Sequence, residues 1–331
     1  MSRILQIAVS LLITAGAIYY SLSGVELGAF LQDLSGTRWV WVGPVAGLAA
    51  LTLWFRACRW RILLETLGPV DNTPVFDATC IGFMGNMVLA LRAGEAIKPV
   101  VVARAGQVSV PAALATVALE RVCDLVLLAI FGVITLLLVP SADFLQDNTT
   151  IIAAVVAVLF LSFGFVIWKA AWLEARVGWV SARLPAWLGG VIEEGGRGFL
   201  RSVSGLSDLR VLMPVFGYST LIWLATVGGF ISVALALDIS APLIPLGFAS
   251  TVIIALAVSV PSAPGFIGVF WAGAEVALEL FGQPKSLGFS FGVLSWLVQM
   301  VVIIGLGGWS MTRVGLSLGD MRRTAAQQEE A

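Results

Sequence analysis

Apolar runs of about twenty residues recur along the chain, separated by short polar segments. A helix of that length crosses about 30 Å of hydrocarbon. The pattern therefore predicts spanning helices at 4–22, 39–55, 112–139, 151–168, 211–237, 243–260 and 287–310. Two further stretches, 76–104 and 262–281, are long and apolar but interrupted. Trp39, Trp41, Trp54, Trp168 and Trp309 fall at predicted span ends, where amphipathic rings prefer the interface. The expected fold class is all-α: a polytopic helical membrane protein with about eight spans plus re-entrant or broken helices.

Composition supports the same class. Hydrophobic residues make up 59% of the 331 positions and charged residues 12%, against about 45–50% and about 25% in a soluble domain. The net charge of −1 offers nucleic acid no electrostatic attraction. The absence of histidine removes histidine-based acid–base chemistry and histidine-liganded metals. Cys58, Cys80 and Cys123 fit no paired spacing and are expected to pack as small apolar residues. The first apolar run follows Arg3 without a small-residue cleavage site, so it reads as a span and not as a removed signal.

Basic residues set the expected orientation. Arg3, then Arg56, Arg59 and Arg61, the cations of 169–210, and Arg313, Arg322 and Arg323 would share the cytoplasmic side. Both termini are then cytoplasmic, in a bacterial inner membrane. This arrangement closes with eight crossings if 76–104 dips in and returns, and if 262–281 completes a crossing outward. Residues 1–312 would form one membrane domain. Its loop 169–210, with Trp172, Val180, Trp187 and Phe199 between cations, reads as short amphipathic helices on the cytoplasmic leaflet or as an ordinary connector. Residues 313–331 would be a short polar tail, and no soluble catalytic domain is expected.

The densest chemistry lies in 81–124. Here Gly82, Gly85, Gly94 and Pro99 break apolar sequence that also carries Asn86, Arg92, Glu95, Lys98, Arg104, Glu120, Arg121 and Asp124. Charges and helix breaks at membrane depth are costly and are tolerated where protein or a water-filled cavity surrounds them. A broken segment presents a helix N-terminus, which favours an anion. Arg92, Lys98 and Arg104 would add fixed positive charge suited to a phosphate head group, with a cytoplasmic loop of snorkelling cations as the alternative. The Lys98-Pro99 step is expected to open a second short apolar piece. Downstream, Ser109 and Pro111 suit the start of a helix. Along it, Glu120 and Asp124 share a face, and Arg121 reaches Asp124 at i,i+3. Glu120 or Asp124 is expected to pair with Arg92 or Arg104 across helices and to gate a cavity, or else to form a self-compensated packing cluster.

The second interruption, Pro261-Ser262-Ala263-Pro264-Gly265-Phe266-Ile267-Gly268, holds too many prolines and glycines for a regular helix. Glu275 and Glu279 follow it, one turn apart. One broken segment in each half is the best sequence pointer to a transporter site, although the halves share no convincing identity. Pro264, Gly265 and Gly268 therefore join the candidate site, with a turn between two packed helices as the alternative. The box Arg56-Ala57-Cys58-Arg59-Trp60-Arg61 reads as a positive-inside stop with a belt tryptophan, or as a contact for anionic lipid.

These motifs resemble the transmembrane region of lysylphosphatidylglycerol synthases, a family of flippase-like integral membrane proteins. The likeness rests on Arg56-Ala57-Cys58-Arg59-Trp60, on Gly82-Phe83-Met84-Gly85-Asn86 with Arg92-Ala93-Gly94-Glu95, on Glu120-Arg121-Val122-Cys123-Asp124, and on Pro264-Gly265-Phe266-Ile267-Gly268. Two positions depart: Ala90 stands where the family has proline, and Trp271 where an acidic residue often follows the last motif. The resemblance implies lipid handling. In the full synthases a separate soluble domain performs aminoacyl transfer, so that activity is not expected here.

The reading is a lipid translocator that moves an anionic phospholipid or lipid-linked phosphate between leaflets. Arg92, Lys98 and Arg121 would hold the phosphate, with Glu95, Glu120 and Asp124 as counter-charges. No nucleotide loop or metal-spaced acidic motif is present, so no cofactor or metal is expected, and transport would be passive or ion-coupled. Expected partners are membrane lipids with an anionic head group, no nucleic acid, and at the protein level a second copy or an envelope enzyme. The alternatives are an enzyme or enzyme subunit holding Mg²⁺ at Glu120 and Asp124, and a scaffold for envelope enzymes.

Overall fold

The structure is a computed structural model. It describes residues 3–89, 92–106, 108–139, 186–260, 262–317 and 319–320. The predicted span 151–168, the part of the loop before residue 186 and the tail from residue 321 lie outside the described residues.

Eleven α-helices and no strand make up the described residues: α1 (Arg3–Leu22), α2 (Leu27–Ser35), α3 (Val42–Glu65), α4 (Asn72–Val88), α5 (Gly94–Ala103), α6 (Val110–Leu138), α7 (Ala186–Gly205), α8 (Leu209–Ala236), α9 (Leu243–Ser259), α10 (Val269–Glu279) and α11 (Lys285–Val314). Four helical stretches are long and apolar enough to cross a membrane: Trp39–Glu65, Val110–Leu138, Leu209–Ala236 and Lys285–Val314. The expected spans at 39–55, 112–139, 211–237 and 287–310 fall within or almost within these. Side chains such as Leu137, Leu12 and Val301 point outward, as lipid-facing residues must. The exposed Trp39, Trp54 and Trp309 fit an interfacial belt.

The two interrupted stretches are both hairpins. Helix α4 has 17 residues and α5 has 10, and they lie back to back. A Cβ on Gly94 would stand 1.8 Å from the carbonyl oxygen of Gly82, so the two backbones touch there. Helices α9 and α10, of 17 and 11 residues, also lie side by side, with Gly273 against Ile254 and Ala257. At about 1.5 Å per residue, α10 spans only about 17 Å, too short to cross the hydrocarbon. It returns to the side α9 came from: α9 starts just after α8 ends, and α10 ends just before α11 begins, with Gly288 and Gly292 of α11 packed antiparallel on Glu275 and Trp271. This corrects the expectation that 262–281 completes a crossing. One hairpin enters from the face that carries Arg61 and Arg313, and the other from the face that carries Lys285.

Three local expectations also change. Helix α5 runs through Pro99 and begins at Gly94, because a proline removes only one main-chain bond when neighbouring helices hold the segment. Ser109 stands at the N-cap of α6, yet its hydroxyl makes no capping bond. Residues 186–205 form a single helix whose apolar side meets protein instead of the leaflet. Gly198 fits against Ala112, and Leu200, Val203 and Leu206 join Leu63, Leu119 and Val215 in one cluster. Small residues at 195 and 198 let that backbone approach α6.

Candidate functional site

The site begins with α3. Its last turns carry Arg56 and Arg59 at i,i+3, on one face turned toward α6. Arg59 has 0% exposure and donates to Asp124 Oδ1 at 2.6 Å, to Ser219 Oγ at 3.1 Å and to Glu120 Oε1 at 3.4 Å. Lys98 of α5 donates to the other Glu120 oxygen at 2.5 Å. Arg56 and Arg121 each stand 3.5 Å from Asp124 Oδ2. Glu120 is thus held between a lysine and an arginine from two other helices, at 1% exposure. Removing one member of such a buried set typically costs about 3–5 kcal/mol, because the partner charge is left uncompensated.

Trp60 closes this cluster. It is fully buried, donates from Nε1 to Thr116 Oγ1 at 2.8 Å, and holds the Lys98 ammonium 3.9 Å above its ring. The box 56–61 is therefore split by helical geometry. Arg56 and Arg59 turn inward, while Arg61 stays at the surface with Asn72 and Glu65. Trp60 is a core residue, not a belt residue.

The two hairpin tips meet beside the cluster. Arg92 takes the left-handed conformation at φ 55° and Phe266 does so at φ 58°. For side chains other than glycine this conformation costs about 1–3 kcal/mol and marks sites held by their surroundings. The Arg92 guanidinium lies 5.3 Å over the Phe266 ring and donates to the main-chain carbonyl of Val258, in the last turn of α9. That carbonyl has no partner within its helix, and a cation there complements the helix dipole. Gly265, at φ 71°, packs 3.3 Å from the Met87 carbonyl by its missing Cβ, and its own carbonyl accepts from Trp296 Nε1 at 2.6 Å. Trp296 is about eleven residues into α11, so the tips lie about 17 Å from that helix end, near mid-depth.

A cavity of about 420 Å³ opens between cluster and tips. Arg56, Arg92, Glu95, Lys98, Arg121, Asp124 and Asn86 form its polar wall, and Leu128, Trp223, Phe230 and Phe270 are among its apolar lining. Arg121 and Arg92 share Glu95, each at 3.8 Å. Five cations (Arg56, Arg59, Arg92, Lys98, Arg121) thus meet three carboxylates (Glu95, Glu120, Asp124), leaving two positive charges in excess. Asn86 Oδ1 and Arg121 Nε are buried without hydrogen-bond partners.

Of the residues expected at the site, Asn86, Arg92, Glu95, Lys98, Glu120, Arg121 and Asp124 come together here. Arg104 does not: it is exposed at the end of α5. Pro264, Gly265 and Gly268 shape the second tip without lining the cavity, and Gly268 packs on Ile18 of α1. The expected pairing of Glu120 or Asp124 with Arg92 or Arg104 is also replaced. Their partners are Arg59, Lys98, Arg56 and Arg121, because α3 and α5 flank α6 at that level while Arg92 reaches across to α9. Arg56 and Arg59 were legible only as the i,i+3 pair of a basic box, and Trp223 and Phe230 carried no local signal. The carboxylates are poor candidates for Mg²⁺, since each already meets two or more cations.

The family model described as Lysylphosphatidylglycerol synthase TM region matches residues 7–307. A relative from Haloferax volcanii, named Glycosyltransferase AglD, is 25% identical over 373 residues, covering all of this chain and 57% of that protein. No solved structure matches. The chain belongs to the lysylphosphatidylglycerol synthase transmembrane-region family, and it is an integral, multi-pass membrane protein.

Proposed function

With that membership as the premise, we propose that the protein moves an anionic lipid, a phospholipid or a lipid-linked phosphate, between the leaflets of a bacterial inner membrane. The observation that carries this reading is the cavity at the meeting of two hairpins that enter from opposite faces. Broken helices meeting at mid-depth are the usual frame of a transporter site. The excess of two positive charges supplies attraction for a phosphate head group, and guanidinium groups bind its oxygens in pairs. The apolar lining at Leu128, Trp223 and Phe230 accommodates the start of a lipid chain. A volume of about 420 Å³ holds a head group with part of a chain but not a whole lipid, whose tails would stay in the bilayer.

The test is translocation of labelled phosphatidylglycerol and of a polyprenyl phosphate in proteoliposomes holding the purified protein. The parent is expected to move at least one of them. Arg92→Gln and Arg121→Gln, both partly exposed to the cavity, are expected to lose that movement while remaining folded. Normal movement in both variants would remove the site assignment, and no movement by the folded parent would remove the function. A second reading is the membrane part of an enzyme acting on lipid-linked sugars, favoured by the likeness to the protein named Glycosyltransferase AglD. Sugar transfer by the purified protein would support it.

A further inference from the structure

Another buried carboxylate lies away from the cavity, near the Lys285 face. Glu275 of α10 is 2% exposed, and neither of its side-chain oxygens has a hydrogen-bond partner. Three helices enclose it. Helix α1 contributes Tyr20 and Ser21, whose hydroxyl is also buried and lies beside the carboxylate. Helix α11 contributes Gly288, whose missing Cβ would stand 2.8 Å from the Glu275 Cα, and Lys285 at 3.7 Å. Helix α9 carries no titratable residue, and Glu279, one turn along α10, is exposed. Asp33 of α2, which also packs on this end of α11, accepts from Ser290 at 2.6 Å.

Lys285 is committed elsewhere. Its ammonium donates to the main-chain oxygens of Tyr20 at 2.5 Å and Ser23 at 2.8 Å, and it stands 4.0 Å over the Tyr20 ring. At 3.7 Å it is beyond hydrogen-bond range of Glu275. An ionised carboxylate buried without hydrogen bonds is expensive, and the group escapes that cost by taking a proton. Glu120 shows the contrast, with a cation on each oxygen.

Position gives the proton a use. Glu275 lies about three residues from the Lys285 end of α11, so it is close to that face of the membrane. It sits on the short limb of the hairpin whose tip, at Phe266, holds Arg92. The face of α11 that receives this limb carries Gly288, Gly292, Ser295 and Gln299, spaced as one helical stripe, and Ser295 and Gln299 line the cavity.

We infer that Glu275 is a proton-binding site that couples the α9–α10 hairpin to the proton gradient: protonated, it seals the seam between α1, α10 and α11, and deprotonated, it opens that seam to the Lys285 face. The inference rests on the proposed translocation for its use, but not for the proton site itself. Two measurements separate them. In the purified protein, infrared spectroscopy should show the carbonyl band of a buried, protonated carboxylic acid at neutral pH, absent in Glu275→Gln. In proteoliposomes, an imposed pH gradient should change the parent's lipid movement severalfold, leave Glu275→Gln unresponsive, and still act on Glu275→Asp. A missing band, or a Glu275→Gln variant as responsive as the parent, overturns the inference even if lipid moves. A band that titrates in a protein that moves no lipid sustains the proton site and sinks the translocation reading.

Discussion

The hairpins α4–α5 and α9–α10 match in limb length and meet tip to tip, but they are held by different forces. The first is closed by backbone contact at Gly82 and Gly94 and by ion pairs that tie Lys98, Glu120, Arg59 and Asp124 together. The second carries no charge at its tip and is held by aromatic packing of Phe266, Trp271 and Trp296 and by hydrogen bonds from Trp296 to Gly265, from Arg92 to Val258 and from the Ala263 N–H to the Thr14 hydroxyl. Similar dimensions with such unlike chemistry imply a division of labour. The first hairpin is built to present charge in a rigid frame. The second is expected to yield more easily than the first, because apolar contacts cost less to rearrange than a buried ion cluster.

The sharpest way to break that contrast is to compare the two buried glutamates. Glu120→Gln should destabilise the purified protein by about 3–5 kcal/mol, since it leaves Lys98 and Arg59 short of a charge partner. Glu275→Gln should change stability by less than about 1 kcal/mol, because the amide is an isostere of the neutral acid. Equal losses in thermal melts of the two variants would remove the distinction.

Next come the glycines. Gly94→Ala should reach or exceed the upper end of the about 1–3 kcal/mol typical of overpacking, because the methyl group meets the Gly82 backbone. Gly273→Ala meets Ala257 Cβ at 2.9 Å and Ile254 Cα at 3.3 Å, and should fall near the lower end, about 1 kcal/mol. The reverse order in the same melts would mean that the second hairpin is the rigid one.

The link between the tips gives a smaller effect on stability. Arg92→Ala removes the cation over the last turn of α9 and should cost about 1–2 kcal/mol. Trp296→Phe, which removes the hydrogen bond to Gly265 and part of the ring packed against Trp271, should cost about as much. If Trp296→Phe proved the more damaging in denaturant titrations, the second tip would depend on α11 more than on the first hairpin.

The sequence by itself determined the class of molecule and the list of its charges. Runs of about twenty apolar residues leave few options but spanning helices, and cations and carboxylates inside such runs stand out because the solvent penalises them. It therefore supplied Arg92, Lys98, Glu120, Arg121 and Asp124, and it marked both breaks. The tertiary structure alone decided which charge meets which. Arg59 could not be assigned to Glu120 and Asp124 from a basic box, because helix periodicity gives a face and not a neighbour. The same limit hid the second hairpin. Whether a broken apolar stretch crosses or turns back depends on which helices receive it, and the glycine contacts of α10 with α9 and α11 settle that only once the chain is folded.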